Sequence, residues 1–464
     1  MWVKVNYQKV GDTIQKKQHS LLNRAEEASD VLREHIEKDS VIRIISHNDA
    51  DGISSAAVIA NALSEENVQF HASCIPRLKE DIVNQLRHEQ YDLFIFSDMG
   101  SAFVDEFNTY KHDVIIADHH QINDAEAESN VVHINPHLFE IDGSKDLCGA
   151  GSSYLAVRGL DKKHLSYFAL IGAFGDMQGQ GGFTGVNRLI LDDAVESGVL
   201  EIHEDLKIVS KASEPIFKSL AYTFSPPLPG ISGDVEGAQE FLERMNLSYG
   251  IKFTDLEPEE KDLLKDALIN VNPDIFGDCY TVPKEVPLLR DLEEYSYILD
   301  ACGKNKKQGL GLSIALGERD KALDAALRLQ RQYRDQIVKG LEWIKREGAV
   351  QLSDIQYLYS EDKVLKSVMG TIASIGLSVE LLDASKPVIG LSRLHKDIKV
   401  SGRTTREMVS KGVNLGRALQ DSSNNFGGQG GGHDIAAGAM IPFESKDNFL
   451  NLVNEMVEYQ LSND

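Results

Sequence analysis

Short apolar segments recur along the first part of this chain and are separated by polar stretches of helix length. The segments end before residue 135 and read VIRIIS, VQFHASC, DLFIFS, DVIIAD and VVHI in chain order. Short apolar runs of this kind predict buried strands, and strands that alternate with helices predict a parallel sheet. A helix is predicted ahead of the first strand, from Gln18 to Glu37, because its apolar residues recur at helical spacing. The pattern therefore favours an α/β fold.

The chain has 464 residues, which is too long for one ordinary core and indicates several domains. Residues 1–205 would form the parallel-sheet domain, and residues 206–290 a mostly helical, acidic insertion whose clearest helix is EPEEKDLLKDAL. Residues 291–349 would form a connecting segment with a long helix near 320–346. Residues 350–464 contain the strand patterns KPVIGLSRL and DIKVSGR and would form a smaller α/β domain. We expect the long helix to join two α/β domains that flank a groove.

The composition restricts the classes of partner. A net charge of −24 argues against non-specific binding of nucleic acid over the whole surface, because a polyanion would be repelled. Any nucleic-acid site must therefore be local. The sequence has no run of about 18 apolar residues, and its N-terminus lacks the basic-then-apolar pattern of a signal peptide. The four cysteines form no CxxC pair. We expect a cytoplasmic protein without a membrane partner.

Side chains that bind metal ions follow several of the predicted strands. In open parallel sheets, ligands bind beyond the carboxyl ends of the strands, so these side chains would meet there. Alternate residues of an extended segment point the same way, so Asp49 and Asp51 could address one cluster. Carboxylates combined with imidazoles suit Mn²⁺, and suit Mg²⁺ less well. The residues concerned are His47, Asp49 and Asp51 after the first strand, Asp98 after the third, Asp118, His119 and His120 after the fourth, and Asp176 after a later apolar run.

Each of these motifs also has a purely structural interpretation. Asp and Asn after a strand are usually turn formers, so NDADG alone favours a turn over a metal site. Asp118 could be an exposed loop acid, and adjacent histidines are sometimes only surface residues. The same types of side chain at three strand ends favour a shared metal site over coincidence.

Taken in order, the motifs resemble those of the DHH phosphoesterases. The four matching motifs are His47-x-Asp49-x-Asp51, Asp98, Asp118-His119-His120 and Asp176. The segment GGQGGGHDIAAG at 427–438 resembles the glycine-rich signature of the DHH-associated C-terminal domain. The chain most closely resembles the RecJ-like single-strand exonucleases of the archaeal branch that is also called GINS-associated nuclease. Further matches are INPH at 134–137, LCGAGSSYLA at 147–156 and DACGK at 300–304.

The resemblance implies a phosphodiesterase centre with two divalent metal ions, Mn²⁺ in preference to Mg²⁺. Two adjacent cations can stabilise both the attacking and the leaving oxygen of an in-line displacement. Asp118 would orient a histidine, and His120 would contact the substrate phosphate. The implied ligands are His47, Asp49 and Asp98 for one ion and Asp51, Asp98, His119 and Asp176 for the other, with Asp98 as the bridge. The implied reaction is exonucleolytic hydrolysis of single-stranded DNA in replication or repair, with RNA as a second substrate class and GINS as a partner.

A basic stretch near the C-terminus supplies charge that the rest of the surface lacks. Between residues 386 and 417 there are eight Lys and Arg residues against two acids. Alone, such a run is typical of a solvated basic face. Here the run precedes GGQGGGH, whose glycines could let a phosphate approach and could present amide groups at a helix start. The family resemblance implies that Arg403, Gly431, Gly432 and His433 bind nucleic acid.

Lys304 is a departure from the family pattern. RecJ-like chains often have arginine at the end of the segment that matches DACGK, and the lysine keeps the charge but not the bidentate fork. We expect Lys304 to contact nucleic acid, with Lys306 and Lys307 nearby.

Two other functions stay open on the sequence. One is a DHH phosphodiesterase for small substrates, such as oligoribonucleotides or cyclic dinucleotides, but the insertion and the basic stretch favour longer strands. The other is a non-catalytic replication scaffold that associates with GINS. Loss of metal ligands would indicate the scaffold, and here every ligand is present.

Overall fold

The computed structural model describes residues 2–361 and 363–462. The chain forms two compact units, each with its own sheet and its own hydrophobic cores. The first unit contains Met1–Glu204 and Asp278–Gln330, and the second contains Asp205–Gly277 and Arg331–Asp464. The chain therefore leaves the first unit, returns to it, and ends in the second.

The secondary structure confirms an α/β protein with a largely helical insertion. The strands are β1 (Ile42–His47), β2 (Phe70–Ile75), β3 (Leu93–Ser97), β4 (Asp113–Ala117), β5 (Val131–Ile134), β6 (Glu201–Leu206), β7 (Phe276–Thr281), β8 (Val350–Gln351), β9 (Gln356–Tyr359), β10 (Val388–Leu394), β11 (Asp397–Arg403), β12 (Gln429–Gly432) and β13 (Ala436–Pro442). The α-helices are α1 (Trp2–Glu37), α2 (Ala50–Glu65), α3 (Glu80–Leu86), α4 (Val104–Asn108), α5 (Gly149–Arg158), α6 (Ser166–Gly175), α7 (Gly185–Glu196), α8 (Ile216–Ala221), α9 (Val235–Arg244), α10 (Pro258–Val271), α11 (Leu292–Lys304), α12 (Gln308–Ala315), α13 (Lys321–Glu347), α14 (Met369–Ser378), α15 (Arg406–Ser410), α16 (Leu415–Asn424) and α17 (Lys446–Ser462).

The sheet of the first unit is parallel throughout, as predicted, and its strand order is β2-β1-β3-β4-β5. Ile44 and Ile95 face one core, whereas Ile45 and Phe94 face the other. Burial on both faces explains why the strands are continuous apolar runs. The strand order changes direction between β1 and β3, which is the position where open α/β sheets bind ligands.

The register of this sheet aligns the strand ends that carry the predicted metal ligands. Ser46 of β1 lies opposite Ser97 of β3, and Ser97 lies opposite Ala117 of β4. The next residue of each strand, His47, Asp98 and Asp118, therefore emerges at the same edge. These residues are about fifty and about twenty positions apart in the sequence. In the sheet they lie on adjacent strands, which are about 4.8 Å apart.

The second unit contains a mixed sheet of order β12-β13-β11-β10-β9-β8. Strands β9 and β10 are parallel, and the other pairs are antiparallel. Ile398 and Val400 of β11 pack into a core with α16 and α17. Val388 of β10 packs into a different core with α13 and α14. The strands predicted for residues 350–464 are confirmed, and so is the long helix predicted near 320–346, which is α13.

The insertion has a core of its own, which contains Leu220, Leu242, Leu264 and Leu268 from its three α-helices. Helix α10 begins with proline at its first position and has a capping box between Glu257 and Glu260, both of which favour a helix start. The residues after β7 do not belong to the core of the insertion. Val282 and Leu289 lie in the predicted segment 206–290 but pack into the core of the first unit. The predicted domain boundaries themselves stay a prediction.

The glycine-rich segment is a strand, so the prediction that it presents amide groups at a helix start is wrong. Gly430 and Gly432 belong to β12 and lie close to neighbouring backbone. A Cβ on Gly430 would lie 2.7 Å from the carbonyl oxygen of Leu419, and a Cβ on Gly432 would lie 2.7 Å from Cα of Ala437. Close packing by α16 and β13 therefore requires two of these glycines. A Cβ on Gly431 would meet nothing within 4 Å.

Two further properties concern the chain as a whole. Within the described ranges, no helix is both long enough and apolar enough to cross a bilayer. The four cysteines, all of which the structure describes, are buried thiols. Cys74, Cys148 and Cys302 contribute to the core of the first unit as small apolar groups.

Candidate metal centre

The motif HNDADG is a turn from strand to helix. His47 is the last residue of β1, and Asp49 is the N-cap of α2, where its side chain accepts a hydrogen bond from the amide of Gly52 at 3.0 Å. Asp51 lies in the first helical turn. The prediction that Asp49 and Asp51 share an extended segment is therefore wrong. A Cβ on Gly52 would lie 2.3 Å from the carbonyl oxygen of His47, so this tight turn requires glycine.

Asp51 is buried at the start of α5. Its two carboxylate oxygens accept hydrogen bonds from the amides of Gly149, at 2.7 Å, and Ala150, at 2.8 Å. A helix N-terminus favours a negative charge in this position. Burial, together with the nearby charges of Asp98 and Asp176, nevertheless raises the pKa of Asp51 well above its ordinary value. An ionised Asp51 therefore needs a cation in addition to the helix.

His119 is oriented by a backbone carbonyl. Its Nδ1 lies 2.7 Å from the carbonyl oxygen of Gly143, so in the neutral ring Nδ1–H donates and Nε2 is left as an acceptor. Nε2 lies 3.3 Å from Oδ1 of Asp98, 3.2 Å from Oδ2 of Asp176 and 3.7 Å from Oδ2 of Asp51. Metal-binding histidines are commonly held in this way by their second nitrogen.

All six predicted metal ligands lie in adjoining groups. In each group, the ligand atoms lie within 4.8 Å of one another. The groups are His47 with Asp49 and Asp98, Asp51 with His119 and Asp176, and Asp98 with His119 and His120. Asp98 and His119 each belong to two groups, so the third group connects the other two, which have no residue in common. The assignment of individual ligands to one ion or the other stays a prediction.

The donor chemistry of the centre fits divalent cations. Oδ1 of Asp98 is buried and has no hydrogen-bond donor among the described residues. The neighbouring Nε2 of neutral His119 is also an acceptor. The lone pairs of Asp98 Oδ1 and His119 Nε2 therefore face each other, and a cation between them would satisfy both. Without a metal ion, a proton on Nε2 of His119 supplies the positive charge. Burial opposes this protonation, but the nearby carboxylates raise the pKa of His119 well above its ordinary value. Oxygen and imidazole ligands together suit Mn²⁺ and are compatible with Mg²⁺.

The other edge of the centre has the same charge pattern. Nδ1 of His47 lies 2.8 Å from Oδ2 of Asp49. Burial works against protonation, but the hydrogen bonds that the protonated ring donates to Asp49 and Asp98 raise the pKa of His47 to about 11. Burial raises the pKa of Asp176 to about 6. Four carboxylates around two imidazoles leave an excess of negative charge that divalent ions would neutralise.

Asp118 holds the ring of His120. Oδ1 of this buried carboxylate lies 2.8 Å from Nδ1 of His120 and also accepts from the amides of His119 and His120. Oδ2 accepts from the amide of Ser101 at 3.0 Å. Burial opposes ionisation, but the hydrogen bond from His120 and the charges of both histidines hold the pKa of Asp118 well below its ordinary value. The side chain of His120 is 51% exposed, so its ring can reach a ligand.

A buried network behind Asp118 was not foreseen from the sequence. Oγ of Ser101 lies 2.9 Å from Nε2 of His133 and accepts from Nδ2 of Asn135 at 2.8 Å. Nδ2 of Asn135 also donates to the carbonyl oxygen of His120 at 2.9 Å. Asn135 belongs to the INPH match, whereas the sequence gives no signal for Ser101 or His133. These contacts fix the backbone from which His120 projects.

The end of α11 packs against the turn after β1. A Cβ on Gly303 would lie 1.9 Å from the carbonyl oxygen of Asn48, and Nδ2 of Asn48 donates to the carbonyl of Gly303 at 3.3 Å. Nζ of Lys304 lies 3.8 Å from Oδ1 of Asp300. Burial raises the pKa of Asp300, and the charge of Asp49 adds to that effect. Asp300 is a further acid at this edge, which its four-residue spacing from Lys304 could have indicated.

The remaining predicted nucleic-acid residues lie on the sheet of the second unit. Arg403 is the last residue of β11 and pairs with Ala436 of β13, whose carbonyl oxygen accepts from the amide of His433 at 2.9 Å. Gly432 lies beside them in β12. The structure thus brings Arg403, Gly432 and His433 together, whereas Lys304 belongs to the first unit.

The guanidinium of Arg403 is half-buried and donates to the carbonyl oxygen of Gly402 at 2.7 Å. A Cβ on Gly370 would lie 2.7 Å from its Nη2, so helix α14 packs directly on it. Burial lowers the pKa of Arg403. Among the described residues, no carboxylate lies within 4.0 Å of this guanidinium. A desolvated cation without a carboxylate partner is typical of a site for an external anion.

Comparison with known proteins agrees with this architecture. Residues 41–173 match the DHH family, N-terminal domain, residues 208–273 the DHH-CID domain, and residues 354–458 the DHHA1 domain. An uncharacterized protein of Methanocaldococcus jannaschii is 32% identical over 429 residues, which cover 90% of this chain and 94% of the relative. A parallel sheet with this Asp/His centre and a following DHHA1 domain defines a metal-dependent phosphoesterase. The chain belongs to the DHH family of phosphoesterases.

Solved structures share the fold at low identity. RecJ of Thermus thermophilus in complex with Mn²⁺ has a TM-score of 0.60 at 16% identity, with 94% of this chain and 55% of that chain covered. Its complex with Mg²⁺ has a TM-score of 0.54 at 16% identity, with 94% and 52% covered. CDC45 of Entamoeba histolytica has a TM-score of 0.68 at 10% identity, with 97% and 99% covered. This chain spans about half the length of that RecJ, and at these identities the likeness concerns the fold alone.

Proposed function

We propose that this protein is a RecJ-like exonuclease of the archaeal, GINS-associated branch, which hydrolyses single-stranded DNA and accepts RNA as a second substrate class. The observation that carries the proposal is that two separate ligand groups adjoin, and that a third group connects them through Asp98 and His119. Two neighbouring sites suit phosphodiester hydrolysis, because both the attacking and the leaving oxygen need stabilisation.

In this proposal, His47, Asp49 and Asp98 hold one divalent ion. The other is held by Asp51, Asp98, His119 and Asp176. The bound ions would supply charge stabilisation to the pentavalent phosphorus centre and would lower the pKa of the attacking water. Mn²⁺ is the preferred ion and Mg²⁺ the second choice, in keeping with the ligand chemistry and with the ions named for the RecJ structures.

His120 acts on the substrate rather than on an ion. Asp118 accepts the Nδ1 hydrogen, which fixes the ring and leaves Nε2 to face a ligand. Burial works against protonation, but Asp118 and Asp98 raise the pKa of His120, so the ring can donate a hydrogen bond or a proton to a phosphate oxygen. Asp118 is thus a positioning residue and His120 a catalytic one.

Arg403 binds a phosphate of the strand, and Gly431, Gly432 and His433 lie along the same contact. The half-buried guanidinium lacks a carboxylate within 4.0 Å among the described residues, and a phosphate would satisfy its remaining donors. Lys304 supplies a second, weaker phosphate contact in the first unit, with its ammonium shared with Asp300. Because the basic groups are few, we expect binding to be local and dependent on salt.

The test is digestion of end-labelled single strands of DNA and of RNA, with Mn²⁺ and with Mg²⁺, by the full chain. We expect stepwise shortening that requires a divalent ion and is absent in Asp98→Asn. An Asp192→Asn variant serves as the control, because Asp192 is an exposed acid of the same unit that pairs with Arg188. Hydrolysis of dinucleotides with no digestion of long strands would contradict the exonuclease and favour the small-substrate phosphodiesterase.

A scaffold function is the second candidate, and the fold likeness to CDC45 over nearly the whole chain favours it. The six metal ligands argue against it, because a scaffold has no need for buried carboxylates in contact. A protein that binds Mn²⁺ yet hydrolyses no phosphodiester of any length would be better described as a scaffold.

We further propose that the insertion docks on GINS. Helix α10 carries the acids of EPEEKDLLKDAL, and Leu263 in its middle is 46% exposed. Leu263→Asp should weaken co-purification with GINS and leave hydrolysis unchanged. Val195→Asp is a matched control, since Val195 is 44% exposed in the first unit. Equal co-purification of wild type and Leu263→Asp would contradict this docking site.

A further inference from the structure

Met177 has an unusual combination of properties beside the metal centre. Its side chain is 63% exposed, the highest exposure of any large apolar side chain among the described residues of the first unit. Its φ of +59° lies in the left-handed region. Among the non-glycine residues that the structure describes with positive φ, Met177 is the only apolar one. The left-handed region favours glycine, and after it asparagine and aspartate.

The turn explains the backbone of Met177 but not its side chain. Helix α6 ends at Gly175, and Asp176 is its C-cap. The amides of Met177 and Gln178 then bond back to the carbonyls of Phe174, at 3.0 Å, and Ala173, at 2.8 Å. These two bonds form a Schellman motif, in which Met177 occupies the position that glycine usually takes. Glycine would make the same two hydrogen bonds at less cost, so the fold alone gives no reason for methionine.

The turn is rigid and belongs to the metal centre. On one side of Met177 is Asp176, whose Oδ2 lies 3.2 Å from Nε2 of His119. On the other side is Gln178, which is buried and donates to the carbonyl oxygen of Gly143 at 3.1 Å. The same carbonyl orients His119. Met177 is therefore fixed between two anchored residues, and only its side chain is left in solvent.

We propose that Met177 forms an apolar contact with the nucleobase of the nucleotide whose phosphate is bound at the metal centre. This inference rests on the proposed function, because it assumes a nucleotide substrate. A phosphate at the centre places its own sugar and base a few bonds away, and Cα of Met177 is one peptide, about 3.8 Å, from Cα of Asp176. The thioether is flexible and polarisable and packs well against aromatic rings. It would contact any base, which suits an enzyme that removes nucleotides regardless of sequence.

The proposal predicts opposite effects of one substitution on stability and on substrate binding. Met177→Gly relieves the left-handed backbone and removes little buried surface, because Met177 is 63% exposed. The melting temperature should therefore rise by about 1 to 3 °C. The same change should weaken binding of a base-bearing nucleotide by about two- to tenfold. Met177→Asn should behave similarly, since asparagine tolerates this region, whereas Met177→Leu should retain binding.

The experiment measures binding of deoxyadenosine 5′-monophosphate and of deoxyribose 5-phosphate to the full chain with Mn²⁺, alongside KM for single strands with and without a base at the terminal residue. We expect Met177→Gly to affect only the base-bearing ligands. Glu380→Gly is the matched control: Glu380 is exposed, has φ +62° and follows the C-cap of α14 in the second unit. It should gain stability without any change in binding.

Several results would overturn the inference. Equal affinities of wild type and Met177→Gly for the monophosphate would do so, as would an equal loss with and without the base. A lower melting temperature in Met177→Gly would mean that the side chain packs against the protein itself. Failure of the wild type to digest strands would refute the exonuclease, while a base-dependent effect on monophosphate binding would still support the contact.

Discussion

The two units build sites of opposite charge. The centre in the first unit brings four carboxylates into contact with two imidazoles, and divalent cations are needed to neutralise them. On the sheet of the second unit, the half-buried guanidinium of Arg403 has no carboxylate within 4.0 Å among the described residues. Buried charge without a compensating charge is costly. The sign of the charge at each site therefore indicates the sign of the partner that it would bind. In the proposed function, divalent ions neutralise the first site, and a phosphate of the strand neutralises the second.

The units also use glycine differently. In the first unit, Gly52 and Gly149 let backbone approach the ligands themselves: a Cβ on Gly149 would lie 2.5 Å from Oδ1 of Asp98. In the second unit, Gly430 and Gly432 let helix α16 and strand β13 pack closely. A glycine-rich motif can thus have either a chemical or a packing cause, and only the contacts distinguish the two.

The sharpest test of the acidic centre is Asp98→Asn. Losing the shared carboxylate should reduce hydrolysis by roughly a thousandfold or more, about 4 kcal/mol of transition-state stabilisation. The fold should survive, since the substitution also relieves repulsion with Asp51 and Asp176. With a chelator present, both proteins should unfold at similar temperatures. With Mn²⁺ at a hundredfold excess over Kd, only the wild type should gain about 2.7 kcal/mol.

The result to compare is the shift caused by Mn²⁺ in thermal unfolding. A variant that keeps the full shift would mean that Asp98 is not a shared ligand, whatever its activity. A variant with full activity would exclude the two-metal centre altogether.

The second test separates the orientation of His120 from metal binding. Asp118 accepts hydrogen bonds from four donors, and the amide nitrogen of Asp118→Asn cannot accept any of them. The ring of His120 should therefore lose its orientation, and turnover should fall by about a hundredfold. Ser101→Ala keeps the amide that binds Asp118 and should cost only a few-fold. The Mn²⁺ shift should persist in both variants. If Asp118→Asn abolishes that shift, Asp118 is a metal ligand and its assignment as a positioning residue is wrong.

Much of the first unit could be predicted from the sequence, because a parallel sheet converts strand ends into neighbours. His47, Asp98 and Asp118 follow strands whose register aligns them, so naming the strands was enough to predict the cluster. An extended NDADG segment is the wrong prediction for Asp49 and Asp51, because a capping aspartate and a glycine favour a helix start.

Other features could not be predicted, because they join distant residues without any periodic signal. Ser101 meets His133 and Asn135 across 32 and 34 positions, and these contacts exist only once β5 lies beside β4. The packing role of Gly430 and Gly432 has no sequence signal, because the approach of α16 is a property of tertiary packing. Asp300 differs, because its spacing from Lys304 is a sequence signal, but its position at the metal centre depends on α11 reaching the turn after β1 in the folded unit.

The third test concerns the cationic site. Arg403→Ala should weaken binding of long single strands by about tenfold, the cost of one charge-assisted contact. It should also flatten the slope of log K against log salt by about 0.7, the contribution of one phosphate. Dinucleotide turnover should change much less. Lys411→Ala is the control, because Lys411 is exposed and paired with Glu407. Equal losses on both substrates would place Arg403 in the catalytic reaction, and no loss would make the basic stretch a solvated face.

The smallest expected effect comes from Lys304, the cation that lies at the edge of the acidic centre. Its ammonium is 3.8 Å from Asp300. Burial raises the pKa of Asp49, but the hydrogen bond and the charge of His47 lower it, and the charge of Lys304 adds to that lowering. The positive charge of Lys304 repels a metal ion at the centre and so lowers the affinity for it, but the same charge attracts a phosphate. Lys304→Gln should therefore raise the affinity for Mn²⁺ and raise KM for single strands, each by about two- to fivefold. Lys304→Arg should keep the metal affinity and lower KM, since arginine adds a bidentate fork. Titration with Mn²⁺ in the absence of substrate separates the two effects. If both variants change neither quantity, Lys304 is a solvated residue, and the first unit then binds substrate through its metal ions and His120, without help from a lysine.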